Sequence, residues 1–239
     1  MARIKMENGF PPESKFIVFE GGEASGKSTM AKRLALHYEK TGKRVCLTRE
    51  PGGVRVAEEI RSLLLSSRSP ADCLDGLSEA LLFAAARNEH LLKKVIPALR
   101  RGEIVIMDRY FYSSLAYQGY GRQLGFEQVQ NINRQFIESF RPDLAIYLNV
   151  SPWTQAARLQ RRQAGEMNHW DRESGAFMAR VGQGFKRCET LFDEFVNVNA
   201  EQTEDVVFKD VLQLTNSLWR KADSKEDNRG GLGISEARA

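Results

Sequence analysis

Two rhythms of apolar and polar positions alternate along the chain. Five short segments are almost continuously apolar: 16–20 (FIVFE), 44–48 (RVCLT), 103–107 (EIVIM), 144–150 (LAIYLNV) and 195–198 (FVNV). Between them lie stretches in which apolar residues recur at helical spacing, over 27–40, 58–65, about 77–101, 126–140, 153 to about 163, 173–194 and 203–219. Strands apolar on both faces, alternating with helices, predict an α/β domain with a parallel sheet covered on both sides. No internal repeat and no linker divides the chain, so a single domain over 15–219 is expected. Periodicity is lost in residues 1–14 and again in 220–239 (RKADSKEDNRGGLGISEARA), where mobile tails are expected.

Composition narrows the class without naming a function. Of 239 residues 42% are hydrophobic and 28% charged, enough to fill a core and far from collagen-like or low-complexity sequence. The longest apolar run, 80–86, is too short to span a bilayer, and residues 1–15 carry Arg3 and Lys5 but no apolar signal segment. A cytoplasmic protein without membrane partners is expected. Cys46, Cys73 and Cys188 are distant and odd in number, which suits packing residues in a reducing compartment. His37, His90 and His169 have no metal-ligand spacing and read as ordinary polar residues. Net charge is +4, but the basic residues are scattered apart from Arg158, Arg161 and Arg162, and no nucleic-acid-binding signature accompanies them. A small phosphorylated ligand is expected rather than a nucleic acid.

The first apolar strand enters GGEASGKST, residues 21–29. Gly21, Gly26, Lys27 and Ser28 match the phosphate-binding loop GxxxxGK[ST]. In such a loop the amides of Gly22, Glu23, Ala24, Ser25 and Gly26 turn inward on phosphate oxygens, and the following helix adds its dipole. Lys27 reaches the outer phosphates, while Ser28, next to Thr29, offers a hydroxyl to magnesium. The strand EIVIM runs into Asp108 and Arg109. A carboxylate at the carboxyl end of a central strand lies where parallel sheets open their crevice, able to hold a metal's water, and an arginine there can hold phosphate.

Several motifs in order resemble the bacterial thymidylate kinases: FEGGEASGKST, TREPGG (48–53), EEIRSLLL (58–65), LLFAAARNEH (81–90), DRY with SSLAYQGYGR (108–122) and FRPDLAIYLNV (140–150). The resemblance spans about residues 15–219 and implies a three-layer P-loop fold with a five-stranded parallel sheet, a lid over about 158–173, and a homodimer. It implies ATP and Mg2+ as donor and cofactor, and phosphorylation of dTMP to dTDP. It also implies roles for single residues: Glu23 at the deoxyribose 3'-hydroxyl, Phe83 stacked on thymine, and Arg87, four residues on, bonded to the base. Arg61, Ser114 and Gln118 would line the base pocket, Tyr117 would crowd the 2' position, and Arg109 and Glu50 would sit at the acceptor phosphate. Read without the resemblance, Phe83 is a core residue, Arg87 an exposed helix charge and Tyr117 a surface aromatic.

The lid departs from the family pattern. The ungapped counterpart of its Asp-Arg segment is Asn168 to Asp171, whereas a short shift selects Asp171 and Arg172. Arg161, with Arg172 next, is the arginine expected at the transferred phosphate. Open alternatives are a kinase of the same fold acting on another or modified pyrimidine monophosphate, and a non-catalytic nucleotide-binding protein. A GTPase switch would need an NKxD segment, and the sequence has none.

Overall fold

The computed structural model of the chain describes residues 9–66, 73–161 and 173–227. Five strands, β1 (Lys15–Glu20), β2 (Val45–Arg49), β3 (Ile104–Asp108), β4 (Leu144–Asn149) and β5 (Phe195–Asn199), form one parallel sheet in the order β2-β3-β1-β4-β5. Period-two geometry sends alternate side chains to opposite faces. On β1, Ile17 and Phe19 join one core with Ile104, Ile106, Ile146 and Leu148, covered by α1 (Lys27–Lys40) and α10 (Glu204–Asp227). Phe16 and Val18 join the other with Val105, Met107 and Tyr147, beneath α3 (Gly76–His90), α5 (Phe111–Ser114) and α9 (Gly175–Leu191). Helix α2 (Arg55–Leu65) packs beside α3. The chain leaves β1 toward one edge and later crosses to the other. The loops after β1 and β3 therefore diverge and open a crevice at the carboxyl ends of the strands.

Three expected elements differ in detail. The helix expected over 77–101 begins as α3, winds more widely over Leu91–Val95 and resumes as α4 (Ile96–Arg100). Pro97 lacks the N–H that would bond the carbonyl four residues back, so the regular ladder cannot run through this stretch. The helix expected over 126–140 is two, α6 (Phe126–Ile132) and α7 (Arg134–Ser139). Asn133 between them is fully buried and turns its side chain to the backbone of Val129 and to Arg87. Helix α8 (Pro152–Gln160) stops short of the expected 163.

Parts of the segments expected as tails are among the described residues, while 1–8 and 228–239 lie outside them. Phe10 packs on the core with its ring 6.1 Å from Phe140, and a turn closes with Ser14 N–H donating to the Pro11 carbonyl at 2.9 Å. Helix α10 continues past Trp219 to Asp227. Cys188 is buried and Cys46 half-buried, as packing residues should be, but Cys73 is exposed. Among the described residues no helix is long and apolar enough to cross a membrane.

Candidate active site

The loop between β1 and α1 is shaped by its glycines. Gly21 has φ +146°, and a Cβ there would lie 2.7 Å from the Leu148 carbonyl oxygen, so a side chain would push the loop off β4. Residues 23–29 of this loop line a cavity of about 280 Å³. Lys27 is buried, and its Nζ donates to the Gly22 carbonyl at 2.6 Å. Burial first, then the neighbouring Arg109 guanidinium, brings its pKa down to about 8.

Parallel pairing of Phe19 with Asp108 carries the end of β3 alongside the phosphate loop. Ser28 Oγ donates to Asp108 Oδ2 at 2.5 Å across that seam. A hydroxyl and a carboxylate oxygen side by side are hard oxygen donors of the kind that hold magnesium beside substrate phosphates, so the chemistry of these residues fits that ion.

Arg109 follows with φ +70°, in the left-handed region, and so turns its side chain back over the loop. Its Nη1 donates to the Gly21 carbonyl at 3.0 Å and to Ser113 Oγ at 3.1 Å, and its Nη2 to Glu23 Oε1 at 2.5 Å. Burial alone would lower its pKa, but Glu23 and other nearby anions outweigh it and raise it, so the guanidinium stays charged. Tyr117 Oη donates to Glu23 Oε1 at 3.3 Å and accepts from Arg109 Nη2 at 3.4 Å. Its pKa is raised by burial, so it remains a phenol.

The opposite end of the cavity rests on buried charge. Arg87 and Glu50 are almost fully buried, and Arg87 Nε donates to Glu50 Oε2 at 2.8 Å. Its Nη1 donates to Asn133 Oδ1 and its Nη2 to Ser114 Oγ at 3.3 Å. These bonds use three of the five N–H donors of the guanidinium and fix its plane. His90, fully buried, contacts Thr48 Oγ1 with Nε2 at 2.8 Å and Glu50 Oε1 with Nδ1 at 3.3 Å. Gly53 makes room for this cluster: a Cβ on it would lie 2.6 Å from His90 Nε2. Gln118 Nε2 donates to the buried Glu79 at 2.7 Å. Since only the amide nitrogen can donate to a carboxylate, the Gln118 carbonyl oxygen is the end left for a ligand. Arg61 Nη1 donates to the Pro51 carbonyl at 3.0 Å, and Phe83 lies half-buried against the core with its ring on the cavity wall.

The cavity thus gathers Glu50, Arg61, Phe83 and Arg87 from one side, and Asp108, Arg109, Ser114, Tyr117 and Gln118 from the other. Arg87 and Tyr117 are buried, which removes the readings of an exposed helix charge and a surface aromatic. Gly21 and Gly22 lie beneath the loop rather than on the cavity wall. Arg161 is exposed at the end of α8 and is not part of the wall; Arg158, on α8, reaches the phosphate loop, with Nη2 to the Ala200 carbonyl at 2.9 Å and Nη1 to that of Ala24 at 3.4 Å. Arg162, Asn168, Asp171 and Arg172 lie outside the described residues.

Sequence reasoning passed over three residues. Glu20, fully buried, closes the strand FIVFE, and a carboxylate ending an apolar strand beside a phosphate loop was the available signal. His90 lies three residues after Arg87 on the same helix, a spacing that places both on one face. Asn133 gave no signal, because nothing in its neighbourhood marks the helix break.

Comparison with known proteins gives the family. A family model described as thymidylate kinase matches residues 19–211. The chain is 43% identical to a thymidylate kinase of a Geobacillus species (strain WCH70), over 82% of this chain and 93% of that one, and 43% identical to one of Caldicellulosiruptor saccharolyticus, over 87% and 99%. The crystal structure of a thymidylate kinase from Ehrlichia chaffeensis is 30% identical and superposes with a TM-score of 0.66, covering 85% of this chain and 98% of that one. Fold, motifs and site geometry converge, and the chain belongs to the thymidylate kinase family.

Proposed function

We propose that this protein transfers the γ-phosphoryl group of ATP to dTMP, giving ADP and dTDP, with Mg2+ bound at Ser28 and Asp108. The observation that carries the reading is the continuity of one cavity from the phosphate loop to the Phe83–Arg87–Gln118 wall. Donor and acceptor phosphates can meet there without either leaving the protein. The acceptor is a phosphate monoester with a second pKa near ~6, so at neutral pH it is mostly a dianion and needs no general base. Catalysis is then alignment of two polyanions and neutralisation of their charge. Loop amides and Lys27 hold the donor phosphates, and Arg109, kept charged by Glu23, faces the acceptor phosphate. The bound magnesium would supply further positive charge between the phosphates.

The base end follows from the same chemistry. Phe83 presents a ring to stack on a flat base, Arg87 donates to a base carbonyl, and the Gln118 carbonyl oxygen accepts from a ring N–H. Thymine has both edges; cytosine lacks the ring N–H. Glu23 and Tyr117 stand at the sugar, where the phenol occupies the space a 2'-hydroxyl would need. Arg158, bonded to the Ala24 carbonyl of the loop, is proposed together with Arg161 and Arg172 to neutralise the transferred phosphoryl group. Like its relatives' family in general, the protein is read as a cytoplasmic homodimer. ADP release measured with ATP and Mg2+, with and without dTMP, tests the assignment: release must depend on dTMP and match dTDP formed one for one. ATP hydrolysis indifferent to dTMP would overturn it.

A further inference from the structure

Glu20 is fully buried, yet it lies off the cavity wall and has no place in the phosphate-loop motif. Its carboxylate accepts three hydrogen bonds from the segment that follows Arg109: from Tyr110 N–H at 2.8 Å, Ser113 N–H at 3.2 Å and Ser113 Oγ at 2.5 Å. When ionised, the Glu20 carboxylate only accepts, so the Ser113 hydroxyl then donates its proton to Glu20 and turns a lone pair elsewhere. That lone pair meets Arg109 Nη1 at 3.1 Å. Arg109 itself has φ +70°, a conformation that L side chains rarely adopt, and the bonds to Tyr110 and Ser113 pin the chain just beyond it.

We propose that Glu20 is the positioning residue of the acceptor-phosphate site: through Ser113 and the backbone after Arg109 it aims the Arg109 guanidinium at the acceptor's phosphate group. It touches no substrate. This inference rests on the functional reading above, in which Arg109 meets the acceptor phosphate. Glu20→Gln keeps the shape but replaces one acceptor oxygen with an NH2, which meets the Ser113 hydroxyl if it takes the Oε2 place and the Tyr110 and Ser113 N–H groups if it takes the Oε1 place. Ser113→Ala removes the link and leaves the carboxylate its backbone bonds.

The experiment compares the affinities of dTMP and thymidine, which differ by the phosphate alone, for the parent, Glu20→Gln, Ser113→Ala and the double variant. The preference for dTMP over thymidine should fall about tenfold in each single variant, the worth of one charge-assisted hydrogen bond, with thymidine affinity and the KM for ATP little changed. The double variant should lose no more than the larger single loss, since both act on one relay. If Glu20→Gln does not fold, half-buried Ser113 still reports on the relay. Variants that keep the parent's preference, or that lose dTMP and thymidine affinity equally, overturn the inference. A parent that binds dTMP no better than thymidine overturns the functional reading and takes this inference with it.

Discussion

At the donor end of the cavity the chain offers backbone: seven consecutive residues, 23–29, line it from one loop and the start of one helix. At the acceptor end it offers side chains from α2, α3, α5 and the turn after it, braced by Thr48 and Asn133 from still other elements. The first is local in sequence and half open to solvent. The second is assembled across the fold and almost dry, with Glu50, Glu79, Arg87, His90 and Asn133 each under a tenth exposed. A loop of amides can lose a side chain and keep its shape. A buried ion pair cannot lose a partner without stranding the other in a low dielectric. Function and stability should therefore separate at the donor end and fuse at the acceptor end.

The sharpest break of this comparison is Arg87→Met. It leaves Glu50 buried without its guanidinium and is expected to cost about 3–5 kcal/mol of unfolding free energy, read by urea denaturation, together with dTMP binding. Glu20, between the two ends, offers a pH test. Burial raises its pKa from 4.5 to about 7, opposed by the hydrogen bond from Ser113 and by Arg109. A group whose folded pKa is raised contributes stability that is present below pH 4.5 and lost as pH climbs to about 7. The unfolding free energy of the parent, measured relative to Glu20→Gln, should decline by about 3 kcal/mol across that window and then level off. Parallel curves would mean the carboxylate is not so strained by burial.

Lys27→Ala tests the donor end. Turnover should fall at least a hundredfold, about 2.7 kcal/mol in the barrier, while the melting temperature holds or rises slightly, because the buried amine is held below its ordinary pKa at a cost. A variant that loses stability as severely as Arg87→Met would erase the distinction between the two ends. Phe83→Ala should have the smallest effect, weakening dTMP binding by about 1–3 kcal/mol with ATP affinity unchanged in calorimetry. Loss of folding without loss of dTMP affinity in the folded fraction would return Phe83 to the core.

The same contrast explains what could be read from sequence. All five strands and helix α1 follow from contiguous patterns, and the phosphate loop is a motif whose spacing encodes its mechanism. Arg87 and Tyr117, by contrast, look like surface residues until tertiary packing closes over them; only the family resemblance marked them. The break at Asn133 and the wide turn at Leu91–Val95 are decided by a buried side chain and by Pro97 within a long helix, and period alone reports neither. Glu20 was visible as a carboxylate at a strand end, but its partners Tyr110 and Ser113 lie some ninety residues away. Among the described arginines of α8 and its end, Arg158 reaches the phosphate-loop backbone while Arg161 is exposed, a difference that their helical spacing does not report.

The central claim is that one cavity recognises both the base and the phosphate of a thymidine monophosphate and delivers it to the donor. Turnover with ATP and Mg2+ across dTMP, dUMP, UMP, dCMP and dGMP tests it most directly. The account predicts the highest kcat/KM for dTMP, dUMP next, a clear fall from dUMP to UMP because of Tyr117, and little activity with dCMP or dGMP. Equal kcat/KM for dUMP and UMP, or a better substrate than dTMP in that set, would contradict it.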